Sequence, residues 1–293
     1  MTVAASADVC VCTFHREALI ETLRSLSAQS VRPKRIIVID NAETPEALER
    51  VARATVELKL PILYLHAPAR NISIARNAAL DASTADWLAF IDDDEIASPH
   101  WLAQLLGAAQ EQPVDAVLGP VNAIYGSAAP AWLKALDLHS TRPVFTRGEI
   151  HKGYAGNALL KRQTVNRLGL RFDPELGRTG GEDDRFFLQL TAQGGRIGFA
   201  PDAVVQEPVA ENRLKWRWLL QRHFRSGQSH GARMAQQGRA GQLALAVAKV
   251  TACAAGALVN LPHPARRASW LLRGTMHLGA VARLAGRREI ELY

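Results

Sequence analysis

Two runs of acidic residues carry most of the chemistry this sequence offers. The first is Asp92-Asp93-Asp94, which follows the apolar "WLAFI" and precedes Glu95. Carboxylates one residue apart on a strand point the same way, so Asp92 and Asp94 can share a hard divalent cation that keeps positions for water and for a substrate diphosphate. The same acids also fit a solvated turn. Like charges at adjacent positions repel one another, so a fold that gathers them needs a cation there. The second run, Glu182-Asp183-Asp184, follows Gly180 and Gly181. It reads either as a charged helix start, stabilised by free backbone N–H groups and the dipole, or as a general base held near an acceptor hydroxyl.

Other chemistries lack their signatures. Neither G-x-x-x-x-G-K-[ST] nor G-x-G-x-x-G occurs, so a P-loop and a dinucleotide fingerprint are absent from the sequence. G-x-S-x-G occurs once, at 227–231, inside a run that reads as helix rather than at a strand-to-helix elbow, and no histidine pair has zinc spacing, so neither a serine hydrolase nor a zinc enzyme finds support. Cys10, Cys12 and Cys253 are an odd count without metal-ligand spacing, as expected of a reduced, cytosolic protein. The opening "MTVAASADVCVC" lacks the basic start and apolar run of a signal peptide, so the activity is expected to face the cytosol.

The elements that must position these acids follow from periodicity. "DVCVCTF", "RIIVID", "PILYLH", "DWLAFID" and "AVLGPV" read as strands. Between them, Leu19, Leu23 and Leu26 recur at helical spacing, Thr44 and Pro45 read as the start of a second helix, Ser73 as the cap of a third through Leu80, and Ser98-Pro99 as the start of a fourth. Alternating strands and helices, with strands apolar on both faces, predict a mostly parallel sheet flanked by helices. Ligands of such sheets bind at the carboxyl ends of the strands, where Thr13, Asp40 and Asp92 all fall. After about residue 120 the alternation stops. A helix over 183–193 and the strand-like "RIGFA" and "AVVQEPV" precede a helical remainder, which divides the chain into residues 1–211 and a basic helical region, 212–293.

Charge separates the same two parts. The net charge is +7, yet Asn212 to Arg288 contains 14 Lys+Arg and no Asp or Glu, leaving 21 basic against 28 acidic residues elsewhere. Such a stretch favours phosphate groups of nucleic acid, anionic lipid or a diphosphate substrate, and composition does not choose among them. Leu243 to Leu261 is apolar except for Lys249, Thr251 and Asn260 and is flanked by Arg233, Arg239, Arg266 and Arg267. It reads as a helix packed on the domain or lying in a membrane interface, or as an ordinary core helix. Arg222 and Arg225, three apart, would either close over a diphosphate or form an exposed pair.

"VCVCTFHRE", "RIIVIDNA", "NISIARNAAL", "WLAFIDDDE", "GYAGNALLKR" and "TGGEDDRFFLQL", in this order and spacing, resemble the motifs of family 2 glycosyltransferases of the GT-A fold over roughly residues 8 to 230. The last motif, with "RWLLQRHFRSGQS" after it, is similar to bacterial enzymes that extend surface polysaccharides of the succinoglycan type. The resemblance implies a single Rossmann-like, mostly parallel sheet with a helical C-terminal extension. It also implies a metal-dependent hexosyltransferase using Mn2+ or Mg2+ and a nucleotide-sugar donor, UDP-linked, with a glycan or lipid-linked glycan acceptor and no nucleic acid. By the same resemblance, Thr13 and Phe14 line the nucleobase pocket, Asp40 accepts a hydrogen bond from the uracil ring, and Arg16 and Arg76 contact the nucleotide. Asp92 and Asp93 attend the ribose and diphosphate. Asp94 holds the metal with Asp92, and Asp183, paired with Glu182, is the base of an inverting transfer. The first-strand motif departs from the family's Pro-x-Tyr-Asn-Arg, and Glu207 stands where relatives have a metal-binding histidine. Membrane attachment on the cytoplasmic face is the expected location. Two rivals are a sugar nucleotidyltransferase, which would need a Gly-rich loop that "CTFHREAL" lacks, and a non-catalytic nucleic-acid or membrane binder, which leaves both acidic runs unexplained.

Overall fold

The structure, a computed structural model, describes residues 6–235 and 238–287. Residues 1–5, which open the stretch searched for a leader, lie outside the described residues, as do Arg288 and the side chain of Arg239. In chain order the elements are β1 (Ala7–Thr13), α1 (Leu19–Ser27), β2 (Arg35–Asp40), α2 (Leu48–Leu58), β3 (Ile62–His66), α3 (Ile72–Ala82), β4 (Trp87–Asp92), β5 (Ile96–Ala97) and α4 (Trp101–Glu111). They continue with β6 (Ala116–Leu118), β7 (Val121–Ile124), α5 (Ala131–Leu136), β8 (Phe145–Thr146), β9 (Glu149–Ile150), β10 (Asn157–Lys161), α6 (Arg162–Leu168) and α7 (Glu182–Ala192). The last are β11 (Ile197–Phe199), β12 (Val205–Pro208), α8 (Trp216–Met234), α9 (Arg239–Val259) and α10 (Pro264–Leu284).

The chain divides into two compact units, 1–124 with 140–208, and 125–139 with 209–293. In the first, a seven-stranded sheet runs β11-β6-β10-β4-β1-β2-β3, with β10 antiparallel to both of its neighbours. The expected α/β architecture is thus the one adopted, with a three-stranded sheet β5-β12-β7 and a β8-β9 hairpin added. Alternate residues of the central strands feed opposite core layers. Val9, Val11, Ile36 and Val38 pack with Leu19, Leu23 and Trp101, while Cys10, Ile37, Ile39 and Phe90 pack with Ala75, Phe172 and Phe186. Burial on both faces is why these strands read as unbroken apolar runs. Register sets Thr13 opposite Asp40, Cys12 opposite Asp92, and Asp40 opposite His66, so the strand ends form one rim.

Three helix starts differ from the sequence expectation, two of them where a side chain from an earlier element takes a free N–H and one where the cap lies two residues earlier. Helix α2 begins at Leu48 rather than near Thr44, and the Asp40 carboxylate receives the Ala47 N–H at 3.0 Å. Asn71, not Ser73, caps α3, with Oδ1 accepting from the Ile74 N–H at 3.2 Å. Helix α4 starts at Trp101, and its Leu102 N–H donates to Gln29 Oε1 at 3.1 Å.

The second unit collects α5, α8, α9 and α10. Leu133, Leu219 and Leu272 form a small core, Trp132 stacks on Trp216, and His139 stacks on Trp218. Helix α9 has a mean hydropathy of 1.7 over Ala240–Val259, with only 17% of that window buried; Leu245, Val247, Leu258 and Val259 are exposed. The core-helix reading of this run therefore fails, because most of its apolar surface is uncovered.

Candidate active site

The site begins at the rim of strand ends. Asp40 is buried, its Oδ1 accepting from the Ala42 N–H at 3.0 Å and its Oδ2 from Ala47 N–H and the Tyr64 hydroxyl at 3.0 and 2.7 Å. These bonds make Asp40 the organiser of the β2–α2 loop. Thr13, also buried, donates its hydroxyl to Asp93 Oδ2 at 2.7 Å. Phe14, next along, is 37% exposed, with the Arg70 guanidinium 5.7 Å above its ring, a flat apolar surface suited to stacking. His15 sits at φ 53° between Glu46 and Glu43, at 2.7 and 3.1 Å, and their hydrogen bonds raise its pKa.

At the end of β4 the chain turns sharply, and Glu95 closes the turn. Its Oε2 accepts from the Asp92 N–H at 2.9 Å, and only 2% of the residue is exposed. A solvent-facing Glu95, the natural expectation for the fourth acid of a run, is therefore incorrect. Burial pushes its carboxyl well above the usual range, and the Asp92 charge adds to the shift. Gly156 faces this turn; a Cβ there would lie 2.8 Å from Glu95 Oε1 and 3.1 Å from Asp92 Oδ2.

Two guanidiniums supply the cation that the acids demand. Arg16, after β1, pairs with Asp94 and lies 3.4 Å from Asp93 Oδ1; its side chain is 42% exposed. Burial still drives Asp93 up to about 7, against the pull of Arg16 and the Thr13 hydroxyl. Arg76, on α3, is 5% exposed. Its Nη1 donates to Glu182 Oε1 at 2.8 Å and to Asp183 Oδ1, while Nη2 stands 3.5 Å from Asp92 Oδ1. The acidic runs, some ninety residues apart in sequence, thus meet on one buried arginine.

The motif "NISIARNAAL" explains how. Ser73 donates to the Asp173 carbonyl, Asn71 to that of Pro174 and Asn77 to that of Phe172, each at 2.8 Å. Helix α3 is therefore a bracket for the segment leading into α7. Gly181, at φ 96°, is the N-cap residue of α7 and turns Glu182 and Asp183 inward. Asp183 Oδ2 accepts from the Ala155 N–H at 3.1 Å. Burial lifts Asp183 to about 6, Arg76 opposing and the Glu182 charge reinforcing the shift. That value suits a proton acceptor near neutral pH.

Five carboxyls, on Asp92, Asp93, Asp94, Glu182 and Asp183, thus gather around two guanidiniums, with Glu95 bonded to the Asp92 N–H. Glu207 on β12 lies within electrostatic range of Arg16 and Glu95. An all-oxygen donor set with surplus negative charge fits Mg2+ or Mn2+. Among the described residues no three His, Cys, Asp or Glu side chains already form a metal-binding group. Ions of this kind need only one or two carboxylates when a diphosphate completes the shell.

The other predicted pair behaves differently. Arg222 and Arg225 lie on α8 in the helical unit, where Arg222 is exposed over the Trp218 ring and Arg225 is buried, donating to Ser229 at 2.6 Å. They do not present one shared exposed face, because Arg225 is buried. Sequence reading missed Glu95, Asn71, Ser73 and Asn77 as builders of the site. The available signal for Glu95 was its spacing three residues beyond Asp92, the spacing of a capping box.

Comparison with known proteins adds identity to this geometry. The family model described as glycosyl transferase family 2 matches residues 8–169. The succinoglycan biosynthesis protein ExoM of Rhizobium meliloti (strain 1021) is 48% identical over 293 residues, 98% of this chain and 95% of the relative. A glucosyl-dolichyl phosphate glucuronosyltransferase of Haloferax volcanii is 28% identical over 76% of this chain and 75% of its own. Among solved structures, GalNAc-T7 with UDP, GalNAc and Mn2+ aligns at a TM-score of 0.57 and 16% identity, covering 71% of this chain and 45% of that one. S. aureus TarS 1-349 in complex with UDP-GlcNAc aligns at 0.54 and 19%, covering 70% and 59%. The chain therefore spans about half the length of these solved structures, and the likeness to them is one of fold.

Proposed function

The chain belongs to glycosyl transferase family 2 and has the GT-A fold, and from that premise we propose an inverting, metal-assisted transfer of a sugar from a UDP-linked donor to a hydroxyl of a growing glycan. The observation that carries this reading is the meeting of the two acidic runs on Arg76, which sets a diphosphate-facing carboxylate and a proton acceptor within reach of one guanidinium. Thr13 and Phe14 receive the nucleobase, and Asp40 supports that pocket through the loop it holds. Arg16, Asp92 and Asp93 attend the ribose and diphosphate. Asp94 would hold Mg2+ or Mn2+, with Asp92 and Glu207 as further oxygen donors. When bound, the cation offsets charge that develops on the leaving diphosphate. Asp183 takes the proton of the acceptor hydroxyl, whose oxygen attacks from the face opposite the diphosphate, so the anomeric configuration inverts.

The relatives named for succinoglycan biosynthesis and for a dolichyl phosphate substrate support a lipid-linked glycan of surface-polysaccharide assembly as acceptor. Exposed apolar α9, within a unit rich in Lys and Arg, supports attachment to the cytoplasmic membrane surface. The test is incubation of the protein with a panel of nucleotide sugars, Mn2+ and bacterial lipid-linked saccharides, measuring release of nucleoside diphosphate and the anomeric form of the product. Consumption of a UDP-sugar with inversion is the expected result; no binding or turnover of any nucleotide sugar would overturn the reading.

A further inference from the structure

We propose that Arg76 is a positioning residue for Asp183, fixing the base relative to the donor half of the site rather than binding the nucleotide; this rests on the transferase reading above. The guanidinium is nearly sealed from solvent, with its Cζ 5.5 Å from the centre of the Phe172 ring. The two hydrogens of Nη1 are committed, one to Glu182 Oε1 and one to Asp183 Oδ1, and Nη2 is turned to Asp92 Oδ1 at 3.5 Å. Both Nη1 donors are thus spent on the Glu182–Asp183 pair, and Nη2 faces the charge of Asp92.

Asp183 is correspondingly held at both oxygens, by Arg76 at Oδ1 and by the Ala155 N–H at Oδ2. Each carboxylate oxygen has two acceptor sites, so lone pairs remain for an incoming hydroxyl while rotation of the carboxylate is blocked. The guanidinium is planar with donors at fixed angles, so it dictates direction as well as supplying charge. Its third partner, Asp92, is the first acid of the donor-side run. The direction of the base is thereby referenced to the strand end at which the sugar's diphosphate is expected, and the bonds from α3 to the carbonyls of Phe172, Asp173 and Pro174 tie the helix that carries Arg76 to the segment leading to Asp183.

Lysine at position 76 keeps the charge and loses the fork, so Arg76→Lys separates the two. With the UDP-sugar consumed by the wild-type protein, Arg76→Lys is expected to lower kcat by about 100-fold, the scale of a displacement of about 1 Å at a reacting group. The donor KM and the affinity for UDP with Mn2+ are expected to stay within about 3-fold. A second measurement isolates the route of action. In an Asp183→Asn background, Arg76→Lys should cost less than about 3-fold in kcat, because residues acting through one another are non-additive. A rise in KM and loss of UDP affinity at unchanged kcat would return Arg76 to nucleotide binding. A full, multiplicative loss in the Asp183→Asn background would show that it acts elsewhere. If the wild-type protein turns over no nucleotide sugar, the transferase reading fails, whatever Arg76 does.

Discussion

Arg76 and Arg16 solve the same electrostatic problem in opposite surroundings. Arg76 is buried at the back of the site and held by three carboxylates and an aromatic ring. Arg16 stands at the front, nearly half exposed, against Asp93 and Asp94. A buried charge stripped of its partner costs several kcal/mol, about 3–5 in typical cases, so the back pair is permanent architecture. Arg16 is itself 42% exposed, so solvent screens its pairs with Asp93 and Asp94 more than it screens those of Arg76, although both acids are largely buried. The difference teaches which acids are already committed and which remain available to a cation and a diphosphate: the fixed half orients the base, and the more screened half faces the donor.

The largest effect expected from breaking this division is at the back. Asp183→Asn keeps shape and removes the proton acceptor, and should reduce kcat by about 100- to 10,000-fold. Calorimetry with UDP and Mn2+ should show binding within about 3-fold of wild type, since the donor half is intact. Near-normal turnover would remove Asp183 from the mechanism. In the wild-type protein, kcat should fall as pH drops through about 6, where Asp183 becomes protonated and loses its role as acceptor.

A smaller effect is expected at the front. Arg16→Gln frees Asp93 and Asp94 from a competing cation, so Mn2+ should bind the UDP-free protein more tightly by about 2- to 5-fold, the equivalent of a solvent-screened ion pair. Electron paramagnetic resonance of free Mn2+ reads this directly. Weaker Mn2+ binding would mean that Arg16 orders the acids rather than competing for them.

How much of this was legible follows from what each feature depends on. The parallel strands and the acids at their ends are written in local pattern, because strands buried on both faces must be continuously apolar and like charges must be gathered for a reason. The role of Arg76 is not local. Its meaning comes from Glu182 and Asp183, more than a hundred residues away, and from the carbonyls of Phe172 to Pro174 that Asn71, Ser73 and Asn77 hold. Two of the helix starts failed for the same reason: Asp40 and Gln29 reach across from other elements to take the N–H groups. Residues 125–139 carried no readable periodicity, and they group with the C-terminal helices through Leu133 and the Trp132–Trp216 stack.

The helical unit offers the mildest test, as the inverse of the arginine sites. His139 is 4% exposed, and burial lowers its pKa to about 4, with Arg222 and Arg213 disfavouring its charge. The unfolded imidazole takes up its proton near pH 6.5 and the folded one does not until about 4. The stabilisation is therefore complete above pH 6.5 and declines as pH falls towards 4, by at most about 3 kcal/mol. Denaturant unfolding at pH 7.5 and 4.5 should show this loss in wild type and a reduced loss in His139→Gln. An equal pH dependence in both proteins would clear His139 of any part in it.

The central claim is that the acids at the end of β4, which face the partly exposed Arg16, receive a divalent cation together with the donor diphosphate. Crystals grown with UDP and Mn2+ test it most directly through anomalous scattering at the manganese edge. The account predicts an anomalous peak within ligand distance of Asp94, a UDP diphosphate beside it, and Arg76 still bonded to Asp183. Manganese and nucleotide ordered elsewhere, or UDP bound at the strand ends with Arg16 still paired to Asp94 and no metal peak, would contradict it.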